Sequence, residues 1–262
     1  MKSLQFPESA SLSYSRPLGK IPIRNGIFRK GYEFFQGRDG GATPARAVFF
    51  SGYSQGGHSS FAAADLRASY APELPVKGVV VFGGTQDVGT LWRENAAFAP
   101  YAVAAYAQYY GKNQVDPARI LLPKLSANLR KNAEARCVGD LYEMYGKRPQ
   151  DVFRPEFLAA LRGGTLGARY PGVARALTLN GAGLAKSATD IPAFVAQGTA
   201  DDIVTATSGR AFTQKLCKLG RQVTYREYRG INHYQTRQVA VGDAMRWMKD
   251  VTAGRPVPDT CS

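Results

Sequence analysis

Ala47-Val48-Phe49-Phe50-Ser51-Gly52-Tyr53-Ser54-Gln55-Gly56-Gly57-His58 is the stretch that decides the fold. A short apolar run, Ala47–Phe50, leads into Gly52-x-Ser54-x-Gly56, and a helix-forming segment follows. Strand, Gly-x-Ser-x-Gly, helix is the context of a nucleophile elbow, a turn so tight that the serine projects its hydroxyl clear of the sheet. Glycines at 52 and 56 are expected to let strand and helix approach without a Cβ clash, and Gly57 to widen the clearance. The pattern alone is weak in a chain with 28 glycines. Its flanking strand and helix make Ser54 the candidate nucleophile.

Outward from the elbow, the spacing predicts a helix over 56–69, with Phe61, Ala64 and Leu66 on one side, and a second strand over 76–82 (Val76, Val79, Val80, Val81, Phe82). Continuous apolar strands separated by a helix read as parallel β covered on both faces. The rhythm resumes with a strand at 191–197, a helix at 207–219, a strand at 222–229 and a last helix at 236–249. In that helix Val239, Val241, Met245 and Met248 are expected to face the core.

Between the two halves, residues 87–190 carry mostly helical signals. A first helix is studded with Trp92, Phe98, Tyr101, Tyr106, Tyr109 and Tyr110, and others are expected near 133–145, 155–162 and 171–180. The aromatic stripe fits either an acyl-binding wall or plain packing. Residues 1–45 hold Pro7, Pro17, Pro22 and Pro44 and suggest ordered pieces only at Ile21–Tyr32 and Phe34-Phe35. The fold class is therefore α/β with a mostly parallel sheet. An atypical segment (1–45) precedes a core built from 46–86 and 191–262, and 87–190 form a helical cap folded back over the elbow side.

A serine hydroxyl needs an imidazole to take its proton, and the imidazole needs a carboxylate to fix its tautomer. His58, four residues after Ser54, reads as packing or pocket wall. His233 lies in Gly230-Ile231-Asn232-His233-Tyr234, between the last strand and the last helix, where a parallel sheet presents its chemistry. It is the candidate general base. The acid should also follow a strand and come between serine and histidine. In Gly198-Thr199-Ala200-Asp201-Asp202-Ile203-Val204, Asp201 lies nearer the strand end, leaving Asp202 solvated or capping the next helix. Gln55 offers an oxyanion-hole N–H from the helix start, and the second donor is not identified.

At 262 residues, 44% hydrophobic and 21% charged, the chain can build one substantial globular core. No run approaches a membrane span, and Met1–Pro7 has no apolar core of the kind a signal peptide carries. The net charge of +14 and pI of about 9.8 come from scattered basic residues, not a nucleic-acid-binding stripe. A solvated basic surface is the plain reading, and weak attraction to anionic lipid or acidic polymers is the functional one. Cys137, Cys217 and Cys261, with two histidines, lack metal-ligand spacing, so neither a metal nor a cofactor is expected. Cys261 sits in a Pro-rich tail that needs an anchor, which near Cys217 would imply an oxidising compartment.

With the order Ser54, Asp201, His233 in place, residues 46–262 resemble an α/β-hydrolase, more narrowly the bacterial and fungal secretory lipase family. The matching segments are Gly52–His58, Tyr70-Ala71-Pro72-Glu73-Leu74, Phe153-Arg154-Pro155-Glu156-Phe157, Gln197–Val204 and Ala253-Gly254-Arg255-Pro256 with Cys261. The resemblance implies hydrolysis of acylglycerols or simpler esters. Ser54 would be nucleophile, Asp201 acid and His233 base, under a helical cap that shapes the acyl pocket. It also implies a Cys217–Cys261 disulfide and a secreted protein, whereas a genuine start at Met1, with no signal peptide, would imply a cytoplasmic one.

The front of the chain departs from that pattern. Such folds place four strands before the elbow strand, and the loop after the third supplies one oxyanion donor, worth roughly 10²–10³ in rate. Either residues 1–45 supply a substitute strand and donor, from 21–32 and Gly40-Gly41, or the chain is a truncated form of a larger secreted enzyme. The expected function is a serine esterase or lipase acting on a small-molecule or lipid ester, with no nucleic-acid partner and no membrane span, though interfacial contact is compatible with it. The alternatives are a crippled hydrolase remnant, a polyester hydrolase, or another acyl hydrolase on the same triad.

Overall fold

Valine and phenylalanine, stiff or bulky at Cβ, favour extended backbone, and they dominate the runs that become strands. The computed structural model describes residues 47–84, 87–136 and 138–262. Four strands, β1 (Val48–Tyr53), β2 (Val76–Phe82), β3 (Ala193–Gly198) and β4 (Val223–Tyr228), form one sheet in the order β1-β2-β3-β4. All three pairings are parallel, with Tyr53 opposite Phe82, Phe82 opposite Ala196 and Gly198 opposite Tyr228. The strands' carboxyl ends therefore line up along one edge of the sheet.

The helices that flank the sheet are α1 (Gln55–Tyr70), α2 (Ala206–Lys218) and α3 (His233–Thr252). Successive strand residues point to opposite faces. Val79, Val81 and Val195 meet Phe61 and Ala64 of α1 and Phe212 and Leu216 of α2, while Val80, Phe82, Phe194 and Ala196 meet Ala240, Ala244 and Trp247 of α3. The strands are thus apolar on both sides because both sides are covered.

The last helix corrects the sequence reading. Val239, Val241 and Met245 are 44%, 50% and 49% exposed, and Met248 is partly buried at the margin. The stripe against the sheet is Thr236, Ala240, Ala244 and Trp247. Small residues there let the helix axis approach β2 and β3, and Trp247 fills the remaining depth against Phe49 and Phe194, its ring centroid 6.0 Å from each. The larger apolar side chains fall on other faces of the same helix.

Residues 87–190 form a series of mostly short helices with a hydrophobic cluster of their own. The expected single aromatic helix is two, Val88–Glu94 and Ala99–Tyr110, separated by a break at Asn95. Trp92, Tyr106, Phe153 and Phe157 are buried together, with Trp92 5.6 Å from Phe153 and Phe153 5.1 Å from Phe157. Of the two uses open for the aromatics, these rings serve packing.

The tail is fixed as an anchor requires. Cys217 in α2 and Cys261 form a disulfide, and Thr260 and Asp259 hydrogen-bond the backbone of Val223 and Tyr225 along the outer edge of β4. That cover blunts one sheet edge. The expectations placed on residues 1–45, including the substitute strand over 21–32 and a donor from Gly40-Gly41, and on Cys137, lie outside the described residues.

Candidate active site

The elbow forms where β1 must reverse into α1 within one residue. Ser54 takes φ 54°, the one non-glycine residue with positive φ among those described, and its side chain makes no capping bond to its own helix. Its hydroxyl is left for other partners. A Cβ on Gly52 would lie 2.0 Å from the Gly56 carbonyl oxygen, so strand and helix can be this close only with glycine at 52. At Gly56 a Cβ would meet nothing within 4 Å, so the expected clearance role falls on Gly52 rather than on both glycines.

His233 is the first residue of α3. Asn232 caps that helix, accepting from the Gln235 N–H at 3.0 Å, while the Gln235 side chain accepts from the Asn232 N–H at 3.2 Å. This reciprocal capping box fixes the direction from which the histidine leaves the chain. The loop after β3 is tied to the same region: Ala200 N–H donates to Ile231 O at 3.0 Å and Gly230 N–H to Thr199 Oγ1 at 2.9 Å. Two strand-end loops are thereby registered on each other.

The result is a continuous polar line. His233 Nε2 lies 2.9 Å from Ser54 Oγ, and His233 Nδ1 lies 2.7 Å from Asp201 Oδ2. An ionised carboxylate only accepts, so Nδ1 carries the proton and Nε2 is left to accept from the serine. Both side chains of the His–Asp pair are nearly inaccessible, at 4% and 0% exposure. Asp201 is fully satisfied there: Oδ1 accepts from Ile203 N–H at 3.0 Å and Val204 N–H at 2.8 Å, and Oδ2 also accepts from Gln197 Nε2 at 3.2 Å. Four donors around one carboxylate hold it in a single orientation and offset the loss of water.

Asp202, the neighbouring acid, points outward to Lys147 Nζ at 3.1 Å, and the α2 N-cap is Thr205. The helical region also grips this loop. Asn95 Nδ2 donates to Asp202 O at 3.3 Å, Thr205 Oγ1 to Glu94 at 2.9 Å, and Leu91 packs with Ile203 and Val204 beside Phe98. The backbone amides that hold Asp201 are therefore braced from behind by residues 91–98. His58 sits in the first turn of α1, partly buried.

Sequence reasoning passed over Gln197, Gly83 and Tyr53. Gln197, 1% exposed, also donates to Val204 O at 2.8 Å; a lone amide ending a buried apolar strand was its signal. Gly83, at the end of β2, stands against the His–Asp pair. The Tyr53 ring lies 4.9 Å from the imidazole, centroid to centroid. Burial, with the negative charge of Asp201 and the neighbouring Tyr234 adding to it and Arg237 opposing, pushes its phenol up to about 12.

Residues 36–260 match the secretory lipase family along most of the chain. The chain belongs to that family. Among curated relatives, it is 26% identical over 233 residues to a probable inactive lipase of Mycobacterium tuberculosis, covering 84% of this chain and 48% of the relative. It is 24% identical over 225 residues to a secreted triacylglycerol lipase, LIP5, of Malassezia globosa, covering 83% and 46% respectively. The chain thus spans about half the length of the curated relatives it matches. Of solved structures, the rice cell wall degrading esterase LipA of Xanthomonas oryzae superposes with a TM-score of 0.60 at 17% identity, over 86% of this chain and 61% of that one. Candida antarctica lipase A gives 0.64 at 19% identity, over 89% and 53%. At such identities the likeness is one of fold, and the fold is that of an α/β-hydrolase with a short parallel sheet.

Proposed function

We propose that this secretory lipase family member is a serine carboxylester hydrolase working through an acyl-enzyme on Ser54. The observation that carries the reading is the buried hydrogen-bond line from Ser54 Oγ through His233 to Asp201 at the strand ends. His233 Nε2 takes the hydroxyl proton as Oγ attacks the ester carbonyl, and Asp201 stabilises the imidazolium so formed. The Gln55 N–H, at the amino end of α1, donates to the oxyanion. The imidazolium then protonates the leaving alkoxide, and water, activated by the same nitrogen, releases the acid and restores the serine. Every proton taken by His233 is returned within the cycle.

The substrate is an ester with a largely apolar acyl part, as the family membership suggests, and the protein works in an oxidising, extracellular setting, where the Cys217–Cys261 bond persists. Residues 46–86 and 191–262 act as the catalytic core, with 87–190 as its cap. Burst release of p-nitrophenol from a short-chain p-nitrophenyl ester, followed by slower turnover, tests the mechanism. Ser54→Ala is expected to lose on the order of 10⁴–10⁶ in kcat; equal rates from both proteins would end the proposal.

A second reading is a poised serine with little turnover. It is favoured by the likeness to a relative described as a probable inactive lipase. Labelling of Ser54 by a fluorophosphonate without ester turnover is its signature.

A further inference from the structure

Tyr53 is the last residue of β1, and strand alternation puts it on the face covered by α3, two residues beyond Ser51 and four beyond Phe49. Because the chain turns sharply at Ser54, Tyr53 is the final side chain on that face. It stands beside the first turn of α3, where His233 begins. The two ring planes are inclined by 41°, and the guanidinium of Arg237, one turn further along α3, lies 5.2 Å from the centroid of the same tyrosine ring. The phenolic oxygen is buried and, among the described residues, has no hydrogen-bond partner.

The imidazole is held at two points, Nδ1 by Asp201 and Nε2 by Ser54. The ring turns about its Cβ–Cγ bond, and hydrogen bonds, which tolerate a broad range of angles, oppose small rotations only weakly. During turnover the bond to Ser54 is broken and remade, and the ring is then restrained at Nδ1 alone. An aromatic ring packed at a tilt against the imidazole supplies the missing restraint. Gly83 stands close to Nδ1 and Cε1, Tyr234 meets the ring edge-on with its centroid 5.8 Å away, and Tyr53, at 4.9 Å, is the nearer aromatic ring. A hydroxyl with no partner contributes nothing favourable to this packing.

We infer that Tyr53 is a positioning residue: its aromatic ring holds the plane of His233 so that Nε2 stays in line with Ser54 Oγ, and its hydroxyl has no part in the role. The inference rests on the esterase reading above for its effect on rate, but not for its effect on the ring.

The test uses Tyr53→Phe, Tyr53→Leu and Tyr53→Ala in the full chain, each checked for folding by thermal unfolding. The chain has two histidines, so imidazole nitrogen NMR resolves His233 from His58. Leucine and alanine are expected to lower kcat by about 10–100-fold with KM nearly unchanged, as for a misplaced catalytic group. They should also broaden the His233 Nδ1 proton signal while leaving His58 alone. Phenylalanine is expected to rescue both. Two results overturn the inference: a sharp, unshifted His233 signal in folded Tyr53→Leu, or Tyr53→Phe as impaired as Tyr53→Ala. If the wild type hydrolyses no ester, the esterase reading fails by itself, and the NMR comparison still decides the role of the ring. If alanine unfolds the chain, the leucine variant, which keeps apolar volume, decides it.

Discussion

A methyl group added at Gly83 would press on the His–Asp pair. Gly83 has φ +52°, and an added Cβ would stand 3.2 Å from Asp201 Oδ2, 3.3 Å from His233 Nδ1 and 3.4 Å from His233 Cε1. Comfortable contacts of carbon begin at about 3.5 Å, so the pair must retreat by roughly 0.1–0.3 Å. If a 1 Å misplacement costs about 10²-fold, a shift of that size scales to about 2–4-fold in kcat. The left-handed backbone adds a stability cost of about 1–2 kcal/mol for any L side chain. Gly83→Ala should thus be folded, mildly destabilised and a few-fold slower, with KM unchanged. Gly83→Val, whose γ carbons reach further into the same contacts, is expected to lose on the order of 10² in kcat. The assay is steady-state hydrolysis of p-nitrophenyl butyrate beside urea unfolding. A folded Gly83→Val protein with wild-type kcat would refute the claim that this glycine is required by the His–Asp contact.

Three further outcomes follow from other contacts. Gln197→Leu removes a donor from Asp201 and leaves the buried Val204 O unpaired; a stability loss of about 1–3 kcal/mol by urea unfolding is expected from that unpaired group, with a reduced kcat. Cys217→Ser with Cys261→Ser opens a loop of 44 residues and should cost about 4 kcal/mol on the loop-entropy model, lowering Tm by roughly 8–16 °C in a thermal scan. Asp87 caps the helix Val88–Glu94 and bonds Lys215 at 2.7 Å; burial would raise its pKa, but Lys215 and Thr90 outweigh it and hold it below the usual carboxylate range. A carboxylate with a lowered folded-state pKa stabilises above its unfolded value and loses that contribution as pH falls through the folded one. The Tm difference between wild type and Asp87→Asn should therefore be present at pH 6 and shrink below about pH 4.

The sheet was legible because its strands are short, apolar and punctuated by turn residues, and the polar residues at their carboxyl ends stand out against them. Asp201 was separable from Asp202 on that ground, being nearer the end of β3, and the distance to His233 agrees. The face of α3 was not legible. Apolar periodicity pointed to Val239, Val241 and Met245, but close approach to the sheet selects the smallest side chains, and alanine and threonine at 236, 240 and 244 carry almost no hydrophobic signal. The aromatics of 92–110 were ambiguous for a related reason: a pocket wall and a packed core use the same residues, and only three-dimensional neighbours distinguish them. Gln197, Gly83 and Tyr53 act through tertiary contacts with His233 or Asp201, and no local pattern encodes which neighbour a turn glycine or a strand-end amide will meet.

The most direct measurement of the central claim is the site of covalent modification. Folded protein is treated with a fluorophosphonate, digested and mapped by mass spectrometry, with His233→Ala and Asp201→Ala alongside. The account predicts one stoichiometric phosphonyl adduct on Ser54, formed far more slowly in both variants because the serine has lost its proton acceptor or that acceptor's orientation. Modification of another residue, or labelling of Ser54 at the same rate in His233→Ala, would contradict it.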